Sequence, residues 1–115
     1  MKGDMEHTLD IRDGAIVFQV SGRVDESTWT AFGEALGDAV RQARQAAIAE
    51  VVIDLSNLDY MSSRGLRVLT VAKREADEAG IGLRLAAPND VMREILAISR
   101  YDKLFTVTDR VEMKQ

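Results

Sequence analysis

The apolar positions of this chain change period along its length, from two to about 3.6 and back. Residues near 5–12 read as a first strand, and Asp13-Gly14 is a turn signal that makes a hairpin if both flanks are strands. Ala15-Ile16-Val17-Phe18-Gln19-Val20 reads as a second strand, stopped by Ser21-Gly22. The segment Arg23-Val24-Asp25-Glu26-Ser27-Thr28 supplies N-cap candidates for a helix from about 27 to 47. Trp29, Phe32, Leu36, Ala39, Val40 and Ala43 give that helix one apolar face. Val51 to Leu55 is apolar on both faces apart from Asp54, as expected of a buried parallel strand. A polar turn follows, then a helix from about 63 to 79 with Leu66, Leu69, Ala72, Ala76 and Ala79 inward and Gly80 as its stop. Ile81 to Ala86 alternates as another strand. Pro88-Asn89-Asp90 opens a third helix, with Val91, Ile95, Leu96 and Ile98 placed inward. Leu104 to Val107 reads as a short last strand, followed by a helical or frayed tail.

Strands alternating with helices predict an α/β fold with right-handed parallel crossovers. The 115 residues predict one domain, 1–115, without linker, repeat or low-complexity segment. Apolar content of 46% and charged content of 30% predict an ordered globular chain. A net charge of −4 argues against nucleic acid as a partner, since no basic excess exists to release counterions. No apolar stretch approaches the roughly 20 residues that span a bilayer. The start Met1-Lys2-Gly3-Asp4-Met5-Glu6 has no apolar signal core, so a cytoplasmic location is expected, without membrane insertion. The absence of cysteine removes disulfides, thiolate catalysis and thiolate metal sites. Neither cofactor nor metal is expected.

The most informative stretch runs from Val51 through Asp54-Leu55-Ser56-Asn57 to Ser62-Ser63-Arg64-Gly65-Leu66 and on to Leu69. A strand passes through a turn into a helix whose first residues are two serines. Sites in open α/β sheets gather at the carboxyl ends of strands. Helix N-termini favour negative charge, through unpaired N–H groups and the macrodipole. A serine there can carry a phosphate without disturbing the fold.

Met61-Ser62-Ser63-Arg64-Gly65-Leu66 resembles the phosphorylation segment of STAS domains, the bacterial anti-sigma factor antagonist family. The family pattern is a strand ending Asp-Leu-Ser, a turn, an apolar residue, Asp-Ser-Ser-Gly-Leu and a helix. Val20-Ser21-Gly22-Arg23-Val24-Asp25 is similar to its Gly-Glu-Leu-Asp turn, and Leu96-Ala97-Ile98-Ser99-Arg100-Tyr101-Asp102-Lys103-Leu104-Phe105 to its late segment. The resemblance implies a single STAS-like domain, a mixed β-sheet with helices packed against it. It places the modified serine at Ser63 and a partner-binding surface around it, with Asp25, Asn57, Ser62, Arg64 and Arg67. The implied function is a non-catalytic, partner-switching phosphoprotein of transcription control. It binds an anti-sigma factor that is a serine kinase of the GHKL type, and a protein phosphatase resets it. The alternative within the family is a non-phosphorylated STAS subunit of a transport complex of the phospholipid type. Ser62 stands where most of the family has Asp, and Arg64 where a small residue is usual. Arg64 is placed either to pair with a phosphate on Ser63 or to hinder a kinase that expects a small side chain.

Other chemistries find less support. A nucleophilic Ser63 needs an adjacent base, but the only histidine is His7, near the N-terminus, and there is no Gly-x-Ser-x-Gly elbow. A phosphoaspartate receiver needs an acidic pair after its first strand and a lysine after its last. Asp13 is single and Lys103 precedes the last strand, so Asp54 is assigned backbone hydrogen bonds at a strand end. No phosphate-binding Gly-x-x-x-x-Gly-Lys loop occurs. Asp25 is either part of the partner surface or a local N-cap or Asx turn. Trp29 is expected in the core, Met92 and Met113 in helix packing, and Arg41, Arg44, Lys73 and Arg74 on solvated faces.

Overall fold

A computed structural model describes residues 4–112. The strands are β1 (Glu6–Arg12), β2 (Ala15–Val24), β3 (Glu50–Asp54), β4 (Leu58–Met61), β5 (Gly82–Ala86) and β6 (Thr106–Thr108). The helices are α1 (Trp29–Gln45), α2 (Ser63–Glu78), α3 (Asp90–Ser99) and the single turn α4 (Tyr101–Leu104). The main sheet runs β1-β2-β3-β5-β6. β1 is antiparallel to β2 and the remaining neighbours are parallel, so the sheet is mixed.

The predicted hairpin forms. Asp13 and Gly14 both have positive φ, 51° and 79°, and join β1 to β2 through a two-residue turn of the I′ kind. α1 and α2 begin and end within two residues of the expected limits. Gly80, at φ 73°, closes α2 as predicted: its amide donates to the Asp77 carbonyl at 3.1 Å and that of Ile81 to Ala76 at 2.8 Å.

One core joins the inner stripes of α1, α2 and α3 to Ile16, Phe18 and Val20 of β2, Val51 and Ile53 of β3, and Leu85 of β5. On the opposite face Ala15, Val17, Val52 and Ala86 form a smaller cluster against Val111. Arg84, only 3% exposed, holds the C-terminal segment there. Its guanidinium donates to Glu50 at 3.1 Å, Thr108 at 2.5 Å, the Arg110 carbonyl at 3.1 Å and the Val111 carbonyl. A buried charge is tolerated only when its donors are matched in this way. Asp54 has the expected strand-end role. Its carboxylate accepts from the Ser56 amide at 3.0 Å and from Gln19 at 3.2 Å.

The structure corrects the sequence reading in several places. Ser21-Gly22 does not stop β2. Gly22 takes φ 88°, the register shifts between Gly22 and Arg23, and the strand continues to Val24. The partner that permits this is β4, expected to be part of a polar turn, which pairs in parallel with the far end of β2. In α3 the expected Leu96 and Met92 are buried and Ile95 packs against the core, but Val91, expected inward, is 50% exposed and Ile98 76%. The phase of α3 is set by Asn89. Its amide nitrogen donates to the Leu58 carbonyl at 2.8 Å, and its oxygen accepts from Met92 at 2.9 Å. Leu104 ends α4, exposed, and β6 starts two residues later, with Phe105 buried between them. Met113 lies outside the described residues. Among the described residues no helix is long and apolar enough to cross a membrane.

Candidate functional site

The site is built where β2 and β4 end together. β3 stops at Asp54, the chain turns through Ser56 and Asn57, and β4 continues alongside β2. The Ser62 amide then donates to the Val24 carbonyl at 2.8 Å. Ser62 is extended, and its hydroxyl accepts from the Gly65 amide at 3.3 Å, as an N-cap does. Ser63 is therefore the first helical residue of α2, and its side chain is exposed to solvent. The two serines divide the work: one satisfies the helix end, and the other presents a free hydroxyl above it.

Gly65 makes the close approach possible. A Cβ at this position would lie 2.6 Å from both the Val24 and Met61 side chains. A side chain here would push α2 away from the strand ends and displace Ser63.

From Ser63 a groove of about 790 Å³ runs between α1 and α2. Trp29, Gly33, Gly37 and Arg41 line it at four-residue intervals along α1, and Ser63, Arg64, Arg67, Val68 and Val71 along α2. Gly33 keeps the helices close, since a Cβ there would sit 3.4 Å from Val68. The Arg64 guanidinium lies 5.2 Å from the centre of the Trp29 ring and 3.9 Å from the Glu26 carboxylate. These contacts pull Arg64 toward the loop before α1. Arg67, one turn beyond Ser63, is exposed and has no ion pair among the described residues.

Asp25 belongs to that loop. Its carboxylate accepts from the Ser27 amide at 3.0 Å and the Ser27 hydroxyl at 2.9 Å, so the Asx-turn reading holds. The Ser27 hydroxyl and amide, then Thr28 and the positive charge of Arg23, hold its pKa below the ordinary 3.8, and partial desolvation opposes them. The Asp25 carbonyl also accepts from the Trp29 amide at 2.9 Å, so the turn positions the ring on which Arg64 rests.

The sequence-predicted residues therefore separate into groups. Ser63, Arg64 and Arg67 share the groove, and Ser62 and Asp25 support its mouth. Asn57 stands apart, exposed at the other end of β4, where its carbonyl accepts from Gly22 at 3.2 Å. Trp29 packs against the core as expected, but at its edge: it is half-buried and also forms part of the groove wall. Gly33, Gly37 and Val71 were missed. The available signal was two glycines four apart inside a helix, each costing about 1 kcal/mol relative to alanine. His7 stacks on Phe18, with ring centres 5.4 Å apart, and does not bond to Ser63. No group of three or more metal-ligating side chains assembles among the described residues.

A family model described as "Mlab, STAS domain" matches residues 7–108. The chain belongs to the STAS family. A relative from Bordetella bronchiseptica, BtrV, whose name describes it as an anti-sigma factor antagonist, is 29% identical over 108 residues, 94% of this chain and 90% of its own. An anti-sigma factor antagonist from Mycobacterium paratuberculosis superposes with a TM-score of 0.74 at 27% identity, over 90% of this chain and 85% of that one. SpoIIAA of Bacillus, solved in a phosphorylated form, shares the fold with a TM-score of 0.63 at 17% identity, over 89% and 90% of the two chains. This STAS domain thus shares the mixed-sheet architecture of proteins named as anti-sigma factor antagonists.

Proposed function

We propose that this STAS domain is a non-catalytic cytoplasmic switch. Unmodified, it binds an anti-sigma factor that is a GHKL-type serine kinase, and phosphorylation of Ser63 releases it. A phosphatase restores the binding form. The observation that carries this reading is the division between the two serines. Ser62 is occupied as the N-cap, and the exposed Ser63 hydroxyl is left for a kinase at the mouth of the groove. A phosphate adds about −1.5 to −2 charges at pH 7. At the centre of an interface that charge must be desolvated or repelled. Within the domain itself it lies at the N-terminus of α2 and one turn from Arg67, both of which favour negative charge.

The test is incubation with the kinase and ATP, followed by mass spectrometry. One phosphate on Ser63, lost in Ser63→Ala and retained in Ser62→Ala, is the expected result. A phosphate on Ser62 would overturn the assignment.

The second reading is a STAS interaction subunit of a transport complex that is never phosphorylated. Its specific support is the pair Ser62 and Arg64, which flank Ser63 where an acidic and a small residue are usual in the family. It predicts no incorporation with any kinase of the same organism.

A further inference from the structure

We infer that β1 is a homodimerisation edge, pairing antiparallel with β1 of a second copy of this chain about a two-fold axis at Leu9. Among the described residues β1 has no partner on its outer side, because the sheet path begins with it. All of its residues are exposed, including Leu9 at 39% and Ile11 at 65%. Unprotected edges of this kind are templates for another strand.

The hairpin geometry decides which groups face outward. The two-residue turn closes on the pair Arg12–Ala15, which exchanges hydrogen bonds in a turn of this kind. Bonded and non-bonded pairs then alternate along an antiparallel ladder. Asp10, Thr8 and Glu6 therefore direct their backbone groups toward β2. The N–H and C=O groups of Ile11, Leu9 and His7 point to the open edge. A two-fold axis at Leu9 sets Leu9 opposite Leu9 of the second copy and His7 opposite Ile11, so every outward group meets another.

The side chains select the same register. It sets Glu6 opposite Arg12 at both ends of the ladder and Thr8 opposite Asp10. Glu6 has no ion pair among the described residues, and Arg12 bonds only exposed carboxylates, Asp10 at 3.0 Å and Glu112 at 3.2 Å. Moving the axis by one residue toward Thr8 would instead set Glu6 against Asp10, a like-charge pair. On the helix side Leu9 and Ile11 of the two copies would merge into one apolar row beneath the two α1 helices, with the two His7 rings, each stacked on Phe18, among them. That row accounts for two apolar side chains that the monomer leaves in water.

Sedimentation equilibrium of the whole chain across a concentration series tests the interface. A monomer–dimer equilibrium is expected for the wild type. Glu6→Arg and Arg12→Glu should each weaken it about tenfold or more, since two attractive pairs become repulsive. The Glu6→Arg/Arg12→Glu double variant should restore it. Far-UV circular dichroism confirms that each variant is folded. In this cysteine-free chain, Leu9→Cys should form a disulfide-linked dimer under mild oxidation, since paired antiparallel residues lie within bridging distance. A wild type that stays monomeric at millimolar concentration overturns the proposal. So does a dimer indifferent to the single charge reversals, or a double variant that fails to recover.

Discussion

The Ser62 amide and the Val24 carbonyl are joined by a 2.8 Å hydrogen bond that ties the start of α2 to the end of β2. Gly65, one turn into the helix, packs against the same Val24 side chain. This junction positions the exposed hydroxyl of Ser63, so its integrity is the first thing to test.

Gly65→Ala places a methyl 2.6 Å from Val24 and Met61 and should destabilise by about 1–3 kcal/mol through overpacking. Gly37→Ala meets only the mobile end of Arg41 at 3.4 Å, so improved helix propensity should stabilise by about 0.5–1 kcal/mol. Urea denaturation of both variants measures this. Equal effects would mean that the helix–strand junction is looser than described.

Stability and modification should part between the serines. Ser62→Ala should cost about 1 kcal/mol of stability, the usual loss of an N-cap. Ser63→Ala should change stability by less than about 0.5 kcal/mol, as an exposed surface substitution does. A phosphate on Ser63 gains about 0.3–1 kcal/mol from the helix dipole, opposed by the acidic charge of the domain. Thermal melting of the phosphorylated form should therefore fall within a few degrees of the unmodified one.

Asp25 makes a pH prediction. Its pKa in the folded protein is below 3.8 because the charged form is held by Ser27, Thr28 and Arg23. A depressed carboxylate contributes stability that is complete above the unfolded value and is lost as pH falls through the folded value. The stability difference between wild type and Asp25→Asn should be constant above 3.8 and shrink below it. A difference that ignores acid would show that the carboxylate charge adds nothing to the turn. Because this turn carries Trp29, Asp25→Asn should also loosen Arg64 from the ring.

The legible parts of this fold are those with local signals. The Asp13-Gly14 turn, the stripe of α1 and the Gly80 stop are each written in a few consecutive residues, and all hold. β4 was not legible: Leu58-Asp59-Tyr60-Met61 is four residues long, and only its long-range pairing with β2 makes it a strand. The same pairing carries β2 through Gly22, a residue that otherwise reads as a breaker. On α3 Ile95, Leu96 and Met92 were legible, but Val91 and Ile98 were not, because Asn89 fixes the helix from outside through the distant carbonyls of Ser56 and Leu58. The division between a capping Ser62 and a solvent-facing Ser63 was legible where the polar turn meets the stripe of α2. The groove was not, because it needs two helices whose contact only the tertiary structure defines.

The central claim is that charge on Ser63 controls partner binding. Isothermal titration of the cognate anti-sigma kinase with unmodified and with stoichiometrically Ser63-phosphorylated protein tests it directly. The expected result is an affinity loss of more than about tenfold on phosphorylation, or 1.4 kcal/mol, with Ser63→Ala close to the unmodified form. Equal affinities for the two forms would contradict it.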